Sequence, residues 1–291
     1  MTAFTKRPRW RYRWAIAIYG GPSPLALRPR DERDRPAFTA KDVTDIDCQS
    51  VADPFLVRHG DEWLLFSEVW NGAADRGELA VASSADLESW RYGGVVLREP
   101  FHLSYPQVFA GDDGFYMIPE TRQAESIRLY RAESFPHRWR FVATLVNGRY
   151  ADATITRHEG RWWLFAQRGL DELRLFHSEH LEDGWREHPA SPLWPGNRRR
   201  TRPGGRIIVD DGGRLIRFAQ DGLPDYGSSV RAFAIDRLDE SGYEEHELPE
   251  SPILRGTRNG WNAVAMHHVD AVRLGDGNWI AAVDGAAPGL F

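Results

Sequence analysis

Apolar and polar positions along this chain alternate in short runs, and the runs come in pairs around turns rich in Gly and Asp. Within 51–68, Phe55, Leu56 and Val57 fill one run, His59-Gly60-Asp61-Glu62 turns the chain, and Trp63 to Ser67 forms the return. Period-two alternation bounded by turn residues predicts a β-hairpin. The pattern recurs at 105–120, 151–167, 204–220 and 268–284, with Trp63, Phe115, Trp162, Leu215 and Trp279 each opening the second strand. Four copies continue into a third apolar run (from Leu79, Ile127, Leu173 and Val230) and then an aromatic at Trp90, Trp139, Trp185 or Tyr243. Four short antiparallel strands repeated at a period near fifty residues predict an all-β, five-bladed β-propeller.

Blades are expected at about 51–97, 101–146, 150–189, 201–248 and 262–285, forming one domain over 1–291. The fifth copy has no third strand of its own, whereas 14–19 is a third strand without a hairpin. The simplest resolution is that 14–19 completes the last blade and closes the ring.

In a propeller, the start of each first strand and the end of each second strand meet at one axial mouth. That geometry gathers Asp53, Tyr105, Gln107, Asp152, Arg202, His268 and Asp270 with Glu68, Glu120, Gln167, Gln220 and Asp284. Six are acidic, and carboxylates gathered at an axis repel one another and lose solvation, a cost that points to a ligand or a reaction. Each has a structural alternative: Asp53 before Pro54 can start a strand through an Asx turn, and Glu68 and Glu120 can pair with Arg76 and Arg122 on the rim. Trp63, Trp162 and Trp279 lie on inner strands and read as packing between blades. Trp70 and Trp261 read as loop residues that offer flat rings to a sugar.

The wider composition narrows the classes. Hydrophobic residues make up 42% of the 291, and a net charge of −5 without a basic stripe argues against general nucleic-acid affinity. A single cysteine, Cys48, rules out an internal disulfide and a Cys-based zinc site. The basic start (Lys6, Arg7, Arg9, Arg11, Arg13) precedes only six apolar positions, too few for a signal peptide, and no segment reaches membrane-spanning length. A cytoplasmic protein is expected. Oligomeric state is not encoded in any pattern of the chain.

VADPF at Val51–Phe55 and YADAT at Tyr150–Thr154, set in the fivefold repeat, resemble the five-bladed propellers of arabinanases, β-xylosidases, invertases and levansucrases. FYMIPET at Phe115–Thr121 with IRLYRAESFPHRW at Ile127–Trp139 is similar, more closely, to the amino-terminal propeller domain of plant glucosamine inositolphosphorylceramide transferases and their bacterial homologues. The resemblance implies a carbohydrate-active protein, with Asp53 as base or nucleophile and Asp152 as the residue that orients and tunes. The glutamate that supplies the acid in the arabinanase-like enzymes has no counterpart in 201–206. Glu120 is therefore the expected acid. No cofactor is expected. A central ion, as in some related propellers, would lie near His268 with Asp270 and His267, of which only one His can face the axis.

Three function classes follow: a glycosidase or transglycosidase, a non-catalytic glycan-binding module serving a glycosyltransferase, and a protein-binding platform. Carboxylates at the axis disfavour the third, whose distinctive residues would sit on the rim. Arg202, opposite those carboxylates, is expected either to neutralise them or to read an anionic glycan.

Overall fold

The computed structural model describes residues 11–289, so the basic Lys6, Arg7 and Arg9 lie outside the described residues. Five antiparallel sheets are arranged as the blades of a propeller. Blade one contains Cys48–His59, Glu62–Asn71, Arg76–Ser84 and Arg91–Leu97, and blade two Ser104–Gly111, Gly114–Glu120, Ser126–Ser134 and Arg138–Asn147. Blade three contains Tyr150–His158, Arg161–Arg168, Glu172–Ser178 and the short Arg186–Glu187. The inner strand of blade four is broken into Arg202–Pro203 and Ile208–Val209, followed outward by Leu215–Asp221, Ser229–Leu238 and Tyr243–Glu247.

Blade five is built from both ends of the chain. Val269–Arg273 and Trp279–Gly289 are joined by Arg11–Gly21 and then Arg28–Pro29. The closing strand is longer than the apolar run 14–19, since its ladder extends from Arg11↔Gly289 to Gly21↔Trp279. Hydrogen bonding continues past the apolar positions because the backbone needs partners regardless of side chain.

The core divides into five apolar clusters, one between each pair of neighbouring blades. Trp279 packs with Phe218 between blades four and five, and Trp63 with Ile16 and Ile280 between five and one. Trp139 packs with Phe66 between one and two, and Trp162 and Trp185 border the cluster between two and three. Trp163 and Leu215 join three to four. Inter-blade packing is thus the role of the recurring tryptophans, because a four-stranded sheet cannot bury both faces alone.

Blade four adds a buried charge cluster to its apolar packing. Arg217 is fully buried, donates to Glu245 at 2.6 and 2.8 Å, and shares that carboxylate with Arg200 and Tyr243. The arginine-rich stretch before this blade is accordingly anchored: Arg200 also lies 3.9 Å over Trp194, and Arg199 pairs with Asp221.

Candidate functional site

The first strand of blade one starts at Cys48, five residues before Asp53, so Asp53 does not open a strand through an Asx turn. It occupies a bulge: the register slips between Ala52 and Phe55, and Asp53 has φ of 51°. Blades two and three repeat the device, with Tyr105 at 50° and Asp152 at 50° beside the same slips. A left-handed conformation is costly for non-Gly residues and is concentrated at functional sites. The bulge re-aims one side chain per blade out of the ladder. Opposite it, Glu68, Glu120, Gln167 and Gln220 pair in register with Ala52, Ser104, Ala151 and Arg202, so the second strands deliver their polar ends to the same level.

A pocket of about 240 Å³ lies at this level, and Asp53, Glu68, Glu120, Arg202, His267 and Trp70 are among its walls. Asp152 sits just beneath, where its Oδ2 accepts from Arg202 Nε at 2.6 Å and from Gln220 Nε2 at 2.7 Å. The remaining Arg202 nitrogens are occupied too, Nη1 by Gln167 Oε1 at 3.3 Å and Nη2 facing Glu120 at 3.7 Å. Glu120 Oε2 also accepts the Asp152 backbone N–H at 3.3 Å. Across the pocket, Asp284 accepts from His267 Nδ1 at 2.9 Å and from the backbone N–H of Asp53, His267 and His268. Asp53 Oδ1 and Asp152 Oδ1 are buried without a hydrogen bond among the described residues.

Burial dominates the electrostatics. Desolvation, opposed by His267 and reinforced by Asp152 and Asp284, pushes the Asp53 carboxyl up to about 7. Desolvation with the Asp152 charge pushes Glu120 up to about 8, and Glu68 also rises well above the usual carboxylate range, mainly through burial. Asp284 moves the other way despite burial, because the His267 charge and hydrogen bond hold it ionised. His267 is raised, as the pull of Asp284 outweighs its burial. The pocket therefore contains protonated carboxyls beside a fixed ion pair, rather than a ring of bare anions.

Stability should depend on pH in a defined direction. Carboxyls raised in the folded state bind more protons than the unfolded chain, whose carboxyls titrate near about 4. That contribution is complete below about 4 and is lost progressively as pH rises from there to about 7 for Asp53 and about 8 for Glu120. The melting temperature is expected to fall across that window, and Glu120→Gln to flatten the decline. A melting temperature constant through it in the parent protein would contradict these protonation states.

Several residues expected at the mouth lie elsewhere. Tyr105 is buried on the axis, its hydroxyl bonded to Thr154 Oγ1 and to Gly205 N–H at 2.7 Å each. Gln107 ties blade two to the backbone of Ile155 at 2.8 Å. His268 is fully buried, edge-on to Phe55 and Tyr105, and desolvation lowers it to about 4. Asp270 is also fully buried and is bonded to Arg206 at 2.8 Å and to Leu56 N–H at 2.6 Å. Together Phe55, Tyr105, Thr154, Gly205 and His268 contribute one residue per blade to a plug beneath the pocket. A β-carbon at Gly205 would come within 1.7 Å of Val269 O, so only glycine lets blade four approach that closely. Gln167 and Gln220 support Arg202 and Asp152 and do not line the pocket.

Trp261 is a correction of another kind. From the turn Gly260–Asn262 it borders a cleft beside the closing strand that shares Trp14 with the axial pocket, and it donates to Asp34 at 3.1 Å instead of lining that pocket. Trp70 does line the pocket, but from the end of the regular strand Glu62–Asn71 and not from a loop. The axial reading missed Trp14, His102 and Tyr226. Trp14 stacks on His267 at 3.9 Å, and Tyr226 meets His267 edge-on at 5.3 Å while lying 5.1 Å from the Arg202 guanidinium. Trp14 was available as the first residue of the apolar run 14–19, whereas Tyr226 sits in a loop without a periodic signal.

Asp53, His267 and Asp284 bring one possible ligand atom each within 4.8 Å of one another. Asp284 already accepts four N–H donors and His267 Nδ1 is used on Asp284, so a cation here would be held mainly by the free Asp53 Oδ1 and by His267 through Nε2.

The family model described as "Glucosamine inositolphosphorylceramide transferase 1, N-terminal" matches residues 10–286. Proteins named glucosamine inositolphosphorylceramide transferase 1 are 35% identical over 297 residues in Oryza sativa subsp. japonica and 33% over 296 in Arabidopsis thaliana, each match covering 94% of this chain. The chain spans only 40% and 39% of those two relatives. Among solved structures, the catalytic domain of a GH62 α-L-arabinofuranosidase from Coprinopsis cinerea matches at TM-score 0.62 and 15% identity, covering 95% of this chain and 97% of that one. A glycosyl hydrolase from Bacteroides ovatus matches at 0.64 and 13%, covering 93% and 97%. These likenesses show the fold.

Proposed function

The chain belongs to the family of the N-terminal part of glucosamine inositolphosphorylceramide transferase 1, and from that premise we propose that its axial pocket acts on a glycosidic bond of a glycan or glycoconjugate. Glu120 gives its proton to the departing oxygen as the bond from that oxygen to the anomeric carbon breaks. Asp53 takes a proton from the incoming water or sugar hydroxyl, or itself attacks the anomeric carbon and is later released. Asp152, fixed by Arg202 and Gln220, places a negative charge beneath the developing positive charge on the sugar.

One observation carries this reading. A carboxyl kept protonated by burial and a second whose Oδ1 lacks any hydrogen bond share one pocket. Environments that separate the roles of two carboxyls are the mark of acid and base assignments.

The expected anionic ligand gains no support from Arg202, because all three of its guanidinium nitrogens face protein acceptors. Its place in the reading is to fix the Asp152 carboxylate and to face Glu120.

A second reading, a glycan-binding module without turnover, is favoured by one fact: relatives named as transferases are more than twice as long as the segment this chain matches. A panel of aryl and natural glycosides separates the two. Catalysis predicts kcat/KM highest between the limits set by Asp53 near about 7 and Glu120 near about 8. Glu120→Gln should remove the alkaline limb and slow substrates with poor leaving groups the most. Saturable binding with no turnover at any pH would instead support the module.

A further inference from the structure

Since Arg202 is engaged by the protein, an anionic group on the ligand needs its counter-charge elsewhere. A second cleft, of about 640 Å³, adjoins the axial pocket, and Tyr226 is a wall of both. Tyr12, Asp225, Arg255, Thr257 and Arg258 also line it.

Arg255 and Arg258 differ from most of the arginines around blade four. Arg199, Arg200, Arg202, Arg217 and Arg231 all pair with buried carboxylates. The guanidinium groups of Arg255 and Arg258 form no ion pair or hydrogen bond with any described residue, and both residues are exposed. With Asp225 counted, the cleft retains one net positive charge.

The loop that presents Arg258 is built rather than loose. Arg258 has φ of 70°, an expensive conformation for a long side chain. It is sustained by Thr257 N–H to Asn262 O and Arg258 N–H to Ala263 O, both at 3.1 Å, and by the Thr257 hydroxyl on Asn262 Oδ1 at 2.6 Å. On the facing side, Asp225 and Ser228 brace the turn that carries Tyr226, whose ring is 48% exposed over Arg202. Two braced loops thus hold unpaired guanidinium groups and an open aromatic face beside the pocket.

We propose that this cleft is the anion subsite of the ligand. It rests on the reading that the axial pocket holds a sugar ring. A phosphate or carboxylate carried by the adjoining part of the same glycoconjugate lies against Arg255 and Arg258, and Tyr226 forms the shared wall between ring and anion. Guanidinium suits both oxyanions through paired N–H donors.

The test titrates the full chain at low salt with glucose 1-phosphate, glucuronic acid and methyl glucoside. At least one charged probe should bind about tenfold more tightly than the neutral one, and added NaCl should narrow the gap. Stronger binding of glucose 1-phosphate identifies phosphate as the recognised group, and of glucuronic acid, carboxylate. Arg255→Ala/Arg258→Ala should reduce the preference to within about twofold, while Arg91→Ala, on an exposed strand of blade one, should leave it unchanged. Equal affinity for charged and neutral probes, or a preference that survives the double substitution, overturns the subsite. A chain that turns over no glycoside yet keeps an arginine-dependent preference retains this subsite and loses the catalytic reading. Turnover without the preference does the reverse.

Discussion

Asp53→Asn is expected to abolish glycoside turnover, by about 10²- to 10⁴-fold in kcat, while ligand affinity and fold persist. The substitution is well matched to its site. Asp53 has φ of 51°, and Asn is one of the few residues that adopts the left-handed region at low cost. The Asp53 backbone N–H to Asp284 at 3.0 Å does not involve the side chain, so the bulge should hold. Asp53→Ala would add backbone strain and confuse folding with chemistry. An amide also removes a buried acid whose pKa burial has pushed up to about 7, so the variant should melt higher than the parent protein at alkaline pH. Lost turnover with raised alkaline stability is a joint signature that a structural role for Asp53 does not produce. Full activity in the variant would remove Asp53 from the mechanism.

The architecture was legible because it is repeated. A turn of Gly with Asp or Glu before Trp63, Phe115, Trp162, Leu215 and Trp279 states the second strand five times, and the run 14–19 without a hairpin beside a last hairpin without a third strand implies a shared blade. The acidic ends of the second strands could be read for the same reason, since register with the inner strand fixes their level. Depth was not legible. Alternation says which face a side chain takes, but it does not say that His267 reaches the pocket while His268 packs on Phe55 and Tyr105 and Asp270 is tied to Arg206. The bulges have no sequence mark of their own, as Asp53-Pro54 and Tyr105-Pro106 carry proline while Asp152-Ala153 does not.

Charge was readable in sign but not in pairing. The cluster from Arg198 to Arg202 stood out, yet the sequence could not show that Arg199, Arg200 and Arg202 would meet Asp221, Glu245 and Asp152, residues 22, 45 and 50 positions away. Arg255, at the end of the short strand Leu254–Arg255, and Arg258, in the loop after it, occur singly, so no charge run marks the pair. Packing followed the same rule: Gly77 has no periodic signal, yet a β-carbon there would lie 2.5 Å from Glu68 Oε1 and 2.8 Å from His102, so its absence lets those two pocket residues approach.

Removing the closing strand is expected to have the largest effect on stability. Deleting residues 1–21 strips the Arg11–Gly21 ladder from Trp279–Gly289 and exposes an edge along that strand. It also takes Ile16, Ile18 and Tyr19 out of the clusters that join blade five to blades one and four. Each large apolar side chain is worth about 1.5–3 kcal/mol, against a net stability of about 5–15 kcal/mol for a domain. Loss of three such side chains with their ladder should leave no cooperative unfolding transition, and the exposed edge should aggregate. A circular permutant separates closure from mere loss of chain. Arg11 pairs with Gly289, so a short turn can join those ends, and the chain can be reopened between the exposed Glu32 and Arg33. The permutant keeps every blade-five contact while changing which strands are continuous, and should melt within a few degrees of the parent protein. A deletion variant that unfolds cooperatively at the parent's temperature would show that the ring does not depend on this strand. A permutant that fails to fold would place the requirement in chain order rather than in the contacts of the closed blade.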